Sequence, residues 1–206
     1  VEGAENSIAV VDVSGSMSGT PMNVAISLGM YVAERNEGVF HNHFITFSDR
    51  PQLVEIVGKD FTEKVRNIEK ADWGMSTNLE SVFNLILTTA IKNNTPQEEL
   101  PTRLFIISDM QFNSCVRVNG GEETFFQTMK RKFEQHGYKL PKVVFWNVNG
   151  SYGQSPVTKD TPDTMLVSGF SQNIFKSILE SSSVNPYDMM IEALDNERYA
   201  PIKYYA

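Results

Sequence analysis

The stretch Ser7-Ile8-Ala9-Val10-Val11-Asp12-Val13-Ser14-Gly15-Ser16-Met17 sets the reading of the whole chain. Its first half is β-branched and apolar on both parities, without the polar alternation of a half-solvated strand. That pattern describes a strand buried on both faces of a sheet. It then breaks abruptly into a Gly- and Ser-rich loop. Beyond the loop, Thr20 is placed as a helix N-cap with Pro21 at the first helical position, and Met22, Ala25, Ile26, Gly29, Met30 and Ala33 recur at helical spacing. The chain therefore opens with a strand, a loop and a helix.

The same rhythm continues downstream. Residues 39–47 alternate like a strand, 48–51 turn, and 52–57 read as a short partner, together an edge hairpin. Phe61, Val65 and Ile68 mark a short helix, and Leu79, Val82, Phe83, Ile86, Leu87, Ala90 and Ile91 a longer amphipathic one. Residues 103–109 and 142–148 are two more continuously apolar strands, with a helix over 122–136 between them. Strand-like residues 165–167 precede helices over about 171–180 and from Pro186 to about Asn196. Buried strands alternating with amphipathic helices predict an α/β fold: a doubly wound, mostly parallel sheet with one antiparallel edge strand and helices on both faces. No linker or repeat divides residues 1–206, which read as one domain excised from a longer chain.

Composition excludes several classes. The chain has 206 residues, 41% of them apolar and 21% charged, which is ordinary for a globular domain. Eighteen Lys and Arg against 25 Asp and Glu give a net charge of −7. The basic residues are scattered, and Lys130-Arg131-Lys132 reads as a solvated helix face, so direct nucleic-acid binding is disfavoured. The single Cys115 excludes an intramolecular disulfide and the Cys-rich zinc frameworks, and points to an intracellular, cytoplasmic setting. No apolar run approaches the ~20 residues of a membrane span. His41 and His43, two apart, have no third ligand placed with them. The loop 15–19 puts Met17 where a G-x-S-x-G elbow needs its nucleophile.

What remains is a set of oxygen donors at strand ends: Asp12, Ser14 and Ser16 after the first strand, Thr77 before the long helix, and Asp109 after the fourth strand. Ligands of an open parallel sheet gather outside the carboxyl ends of its strands, so these positions can converge. Two carboxylates and three hydroxyls suit Mg²⁺, Mn²⁺ or Ca²⁺. Taken alone, Asp12, Ser14 and Ser16 are equally well explained as a helix-capping turn.

The segments Asp12-Val13-Ser14-Gly15-Ser16, Gly74-Met75-Ser76-Thr77 and Ser108-Asp109 resemble the metal-ion-dependent adhesion site of von Willebrand factor A domains. Phe47-Ser48-Asp49 and the layout from Pro141 through Gly169-Phe170 are similar to the intracellular A domain of the Ro ribonucleoprotein family. The resemblance implies that Asp12, Ser14, Ser16, Thr77 and Asp109 hold a divalent cation, directly or through water. It further implies that a partner protein completes the shell with an Asp or Glu, and that a helical region precedes the domain in the parent chain. Ser18, Trp73, Met75, Ser76 and Met110 would form the partner-binding rim. Two positions depart from the family pattern: Ser76 stands where Gly is common, and Met110 where Gly or a polar residue is commoner. The expectation is a non-enzymatic interaction module. A metal-assisted phosphoester or ester hydrolase, and a domain merely stiffened by its metal, are the alternatives.

Overall fold

The computed structural model describes residues 6–36, 38–48, 50–68, 78–110, 125–149, 163–169 and 186–195, with the isolated positions 174 and 178. In chain order the elements are β1 (Ser7–Val11), α1 (Thr20–Arg35), β2 (His43–Thr46), β3 (Leu53–Glu55), α2 (Phe61–Ile68), α3 (Leu79–Asn93), β4 (Arg103–Ser108), α4 (Phe125–Gln135), β5 (Lys142–Asn147), β6 (Thr164–Ser168) and α5 (Pro186–Leu194). They build the expected six-stranded sheet, in the order β3-β2-β1-β4-β5-β6. Neighbours pair in parallel except β2 and β3, whose antiparallel ladder forms one edge.

The absence of alternation in β1 and β4 has a direct cause. Every residue of both strands is buried, because each face of the sheet is covered. On one face Ile8, Val10, Leu104, Ile106, Val143 and Phe145 pack against α3 and α4. On the other, Ala9, Val11, Phe105, Ile107, Val144 and Trp146 pack against α1, with Ile68 of α2 and Ile178.

The approach of α1 to β1 depends on Gly29. A Cβ built there would lie 2.5 Å from Val11 Cγ2, inside any tolerable contact, whereas one at Gly15 would meet nothing within 4 Å. Gly29→Val is therefore expected to lower the unfolding free energy by about 3 kcal/mol, the upper range of core overpacking, while Gly15→Ala changes it by less than about 1 kcal/mol. Chemical denaturation of the two variants checks this; equal stabilities would refute the close-approach account.

Two local expectations are corrected. The N-cap of α1 is Gly19, not Thr20: the turn into the helix needs φ 88 at that position, which glycine alone adopts without strain. The strand expected over 39–47 starts only at His43. Residues Gly38–Phe40 form a 3-10 turn, and Asn42 takes φ 58. Here the polar residues bond back to the end of α1: Asn42 N donates to Ala33 O (2.8 Å), and His41 Nδ1 lies 2.7 Å from Asn36 O. The helix expected over 171–180 lies outside the described residues, apart from Ile174 and Ile178.

Candidate metal centre

The winding of the chain places the site. From β1 it moves outward through β2 to β3, then returns to β4 on the other side of β1. The helix after β1 covers one face of the sheet and the helix after β4 the opposite face. The carboxyl ends of these two adjacent parallel strands are therefore the point where the strand order reverses, the place at which an open sheet of this kind forms its ligand crevice. Asp12 and Asp109 are the first residues of those two loops.

Asp12 continues the ladder one step past β1, its N–H donating to Ile107 O at 3.0 Å. Its side chain is fully buried. Oδ1 accepts the N–H of Ser14 (2.9 Å), the short self-bonded turn that Asp favours, and Oδ2 accepts the hydroxyl of Ser108 (2.7 Å). The loop then closes on itself. Met17 N donates to Ser14 O (2.9 Å), and the Ser18 hydroxyl donates to Gly15 O (2.7 Å). Met17 is wholly buried on the α1 side, which anchors the turn and leaves Ser14 half-buried and Ser16 exposed. The hydroxyls of Ser14 and Ser16 lie 3.0 Å apart, side by side at the crevice.

Asp109 is also fully buried. Burial is the main cause that pushes the Asp12 carboxyl above its ordinary value; hydrogen bonds from Ser14 and Ser108 oppose this, and the Asp109 charge adds to it. Both raising causes are those a divalent cation would reverse. All donors here are oxygens, and among the described residues no three His, Cys, Asp or Glu side chains gather to hold a metal. The set fits a hard cation such as Mg²⁺, Mn²⁺ or Ca²⁺.

Asp12, Ser14, Ser16 and Asp109 are thus brought to one end of two adjacent strands. Thr77, Trp73, Met75 and Ser76 lie outside the described residues; the nearest described position, Asn78, caps α3 by accepting Ser81 N–H at 3.1 Å. Ser18 is exposed. Met110 is not a rim residue here: it is 5% exposed and packs with Phe125 and Met129 in the α3–α4 core. Its φ of 63 is the left-handed conformation a glycine would take. That conformation costs about 1–2 kcal/mol, which burial of the side chain, worth about 1.5–3 kcal/mol, offsets. Ser108 was not among the expected site residues. Register identifies it: Val10 pairs with Ile106 and Val11 with Ile107, so Asp12 and Ser108 fall opposite each other on the same face.

The sequence profile of a domain of unknown function, DUF7788, matches residues 6–203. The chain belongs to this family. The DUF7788 domain is 43% identical over 191 residues to the uncharacterized protein L728 of Acanthamoeba polyphaga mimivirus, covering 92% of this chain and 33% of that protein. It thus spans about a third of the curated relative. Among solved structures, the Ro (RSR) protein of Deinococcus radiodurans is 16% identical with a TM-score of 0.46, over 81% of this chain and 31% of that one. Proximal thread matrix protein 1 from the mussel byssus, with a zinc-occupied MIDAS motif, is 17% identical with a TM-score of 0.43, over 87% and 46%. The fold class of the DUF7788 domain rests on its own strand order. No helix among the described residues is long and apolar enough to cross a membrane.

Proposed function

We propose that this domain is a non-enzymatic, divalent-cation-dependent protein-interaction module, in which Mg²⁺, or Mn²⁺ or Ca²⁺, bound at the β1–β4 crevice is completed by an Asp or Glu of a partner. The observation that carries the reading is the pair of buried carboxylates on adjacent strand ends, with the Ser14 and Ser16 hydroxyls beside them at the surface. Asp12 and Asp109 together neutralise a divalent ion, and neutral hydroxyls add no charge, so the cation retains attraction for one further anion. Thr77 is the fifth donor in this proposal. The net charge of −7 argues against nucleic acid as the partner, while a bound cation would supply the local positive charge that a partner carboxylate needs.

Binding is favoured over hydrolysis by where the proton carriers lie. The chain has three histidines. His41 and His43 precede or open β2, and His136 lies between α4 and β5, all at the amino ends of strands and opposite the crevice. The Ser108 hydroxyl is already engaged by Asp12 and Met110. Among the described residues no histidine stands beside the two carboxylates, an arrangement that favours holding an anion over activating water.

The test is capture of partner proteins on the immobilised domain in Mg²⁺, with and without EDTA. Retention is expected to need the metal and to disappear in Asp12→Ala. Retention that survives EDTA overturns the reading, and Mg²⁺-dependent turnover of a phosphoester, lost in Asp109→Ala, would favour the hydrolase instead.

A further inference from the structure

We propose that Ser108 is the positioning residue of this centre, a single hydroxyl that orients both carboxylates toward the cation; the inference rests on the metal-binding reading above. The hydrogen-bonding capacity of the hydroxyl decides its role. A serine hydroxyl carries one proton and two acceptor lone pairs. Met110 N–H, 3.1 Å from Ser108 Oγ, can only donate, and the Asp12 carboxylate, 2.7 Å away, can only accept. The serine proton therefore has one destination, Asp12 Oδ2, and the chain of donors runs from Met110 N–H through Ser108 to Asp12.

Two consequences follow on the two sides of the crevice. At Asp12, Oδ1 is held by Ser14 N–H and Oδ2 by Ser108, so the plane of the carboxylate is fixed at both ends. Each oxygen keeps a lone pair for a metal. At Asp109, the bond from Met110 N to Ser108 Oγ closes a tight turn whose middle residue is Asp109 itself. The same oxygen thus sets the direction in which the second carboxylate leaves the strand. Asp12, Ser108 and Asp109 are all fully buried, so the serine proton is the donor that fixes Asp12 Oδ2 where solvent does not reach. Partners of this kind, one shell behind the ligands, typically govern metal affinity by 10–100-fold.

The experiment is calorimetric titration of the domain with Mn²⁺, with parallel thermal melts in EDTA. Wild type is expected to bind one ion, and Ser108→Ala to bind it roughly 10–100-fold more weakly while still melting cooperatively without metal. Ser108→Cys, which fills the same space with a weak donor, is expected to lose affinity likewise and serves if the alanine variant does not fold. A purely structural serine would lower the metal-free melting temperature and leave the dissociation constant unchanged. A constant within about threefold of wild type in a folded variant therefore overturns the proposal. Absence of Mn²⁺ binding by wild type overturns the metal reading itself, and this inference with it.

Discussion

Asp12→Asn is expected to abolish the stabilisation of the domain by Mg²⁺ and to flatten the pH dependence of its metal-free stability. The asparagine keeps the packing: its carbonyl can accept Ser14 N–H, and its amide can face the Ser108 hydroxyl, which turns to accept and so gives up the acceptor of its own proton, at a cost of about 1–3 kcal/mol at every pH. What is lost is a charge that burial and the neighbouring Asp109 both disfavour. The sign with pH follows from the direction of that shift. A carboxyl raised above its ordinary value of 3.8 binds its proton more tightly in the folded chain than in the unfolded one, so metal-free wild type loses stability as the pH rises from 3.8 through the raised value. The asparagine variant lacks this dependence. The difference between the two should therefore move in favour of the variant as the pH rises from 3.8, as melts across that range would record. With Mg²⁺ at ~100 times its dissociation constant, wild type should gain about 2.7 kcal/mol, a rise of roughly 5–10 °C, and the variant nothing. An equal Mg²⁺ shift in both proteins would remove Asp12 from the site.

Phe83→Ala should have the largest effect on the fold itself. Phe83 is fully buried on α3 and meets three rings of α4: Phe125 tilted at 5.9 Å, Phe126 edge-on at 6.2 Å and Phe133 edge-on at 6.4 Å. Truncation removes the anchor between the two helices that cover the Asp12–Ser108 face of the sheet. The cost is expected at about 3–5 kcal/mol, seen as a fall in melting temperature of roughly 6–20 °C. Phe61 makes the control: it is 61% exposed, and its alanine variant should shift stability by less than about 0.5 kcal/mol. If the two variants cost the same, the α3–α4 aromatic cluster is not what holds that face.

Much of the fold was readable because it is built from strands buried on both sides. Ser7 to Val11 and Arg103 to Ser108 have no solvent face, and a sequence without alternation says so directly. The edge was harder. Val39 to His41 mimic alternation, yet their place is set by bonds to the end of α1, which no periodicity encodes. Patterns also say which residues share a face without saying whether anything covers it. Tyr187, Met190, Ile191 and Leu194 of α5 fall at i, i+3, i+4 and i+7, and all are exposed. At the site, the D-x-S-x-S loop was legible because chemistry and spacing coincide in a few consecutive residues. Ser108 was not, since its role appears only once β4 is laid beside β1 in register. Met110 was misplaced because sequence does not display a left-handed φ.

The pairing of β1 with β4 also has a temporal side. Asp12 and Ser108 are 96 residues apart, and the crevice exists only after those two strands have zipped together. On the ribosome, the first half of this sequence carries one carboxylate of the pair and none of its partners across the sheet. An ion that requires both aspartates therefore finds no site in the nascent or unfolded chain. All of its binding free energy would fall on the finished fold, which makes the ion a seal on a completed sheet rather than a template for its assembly.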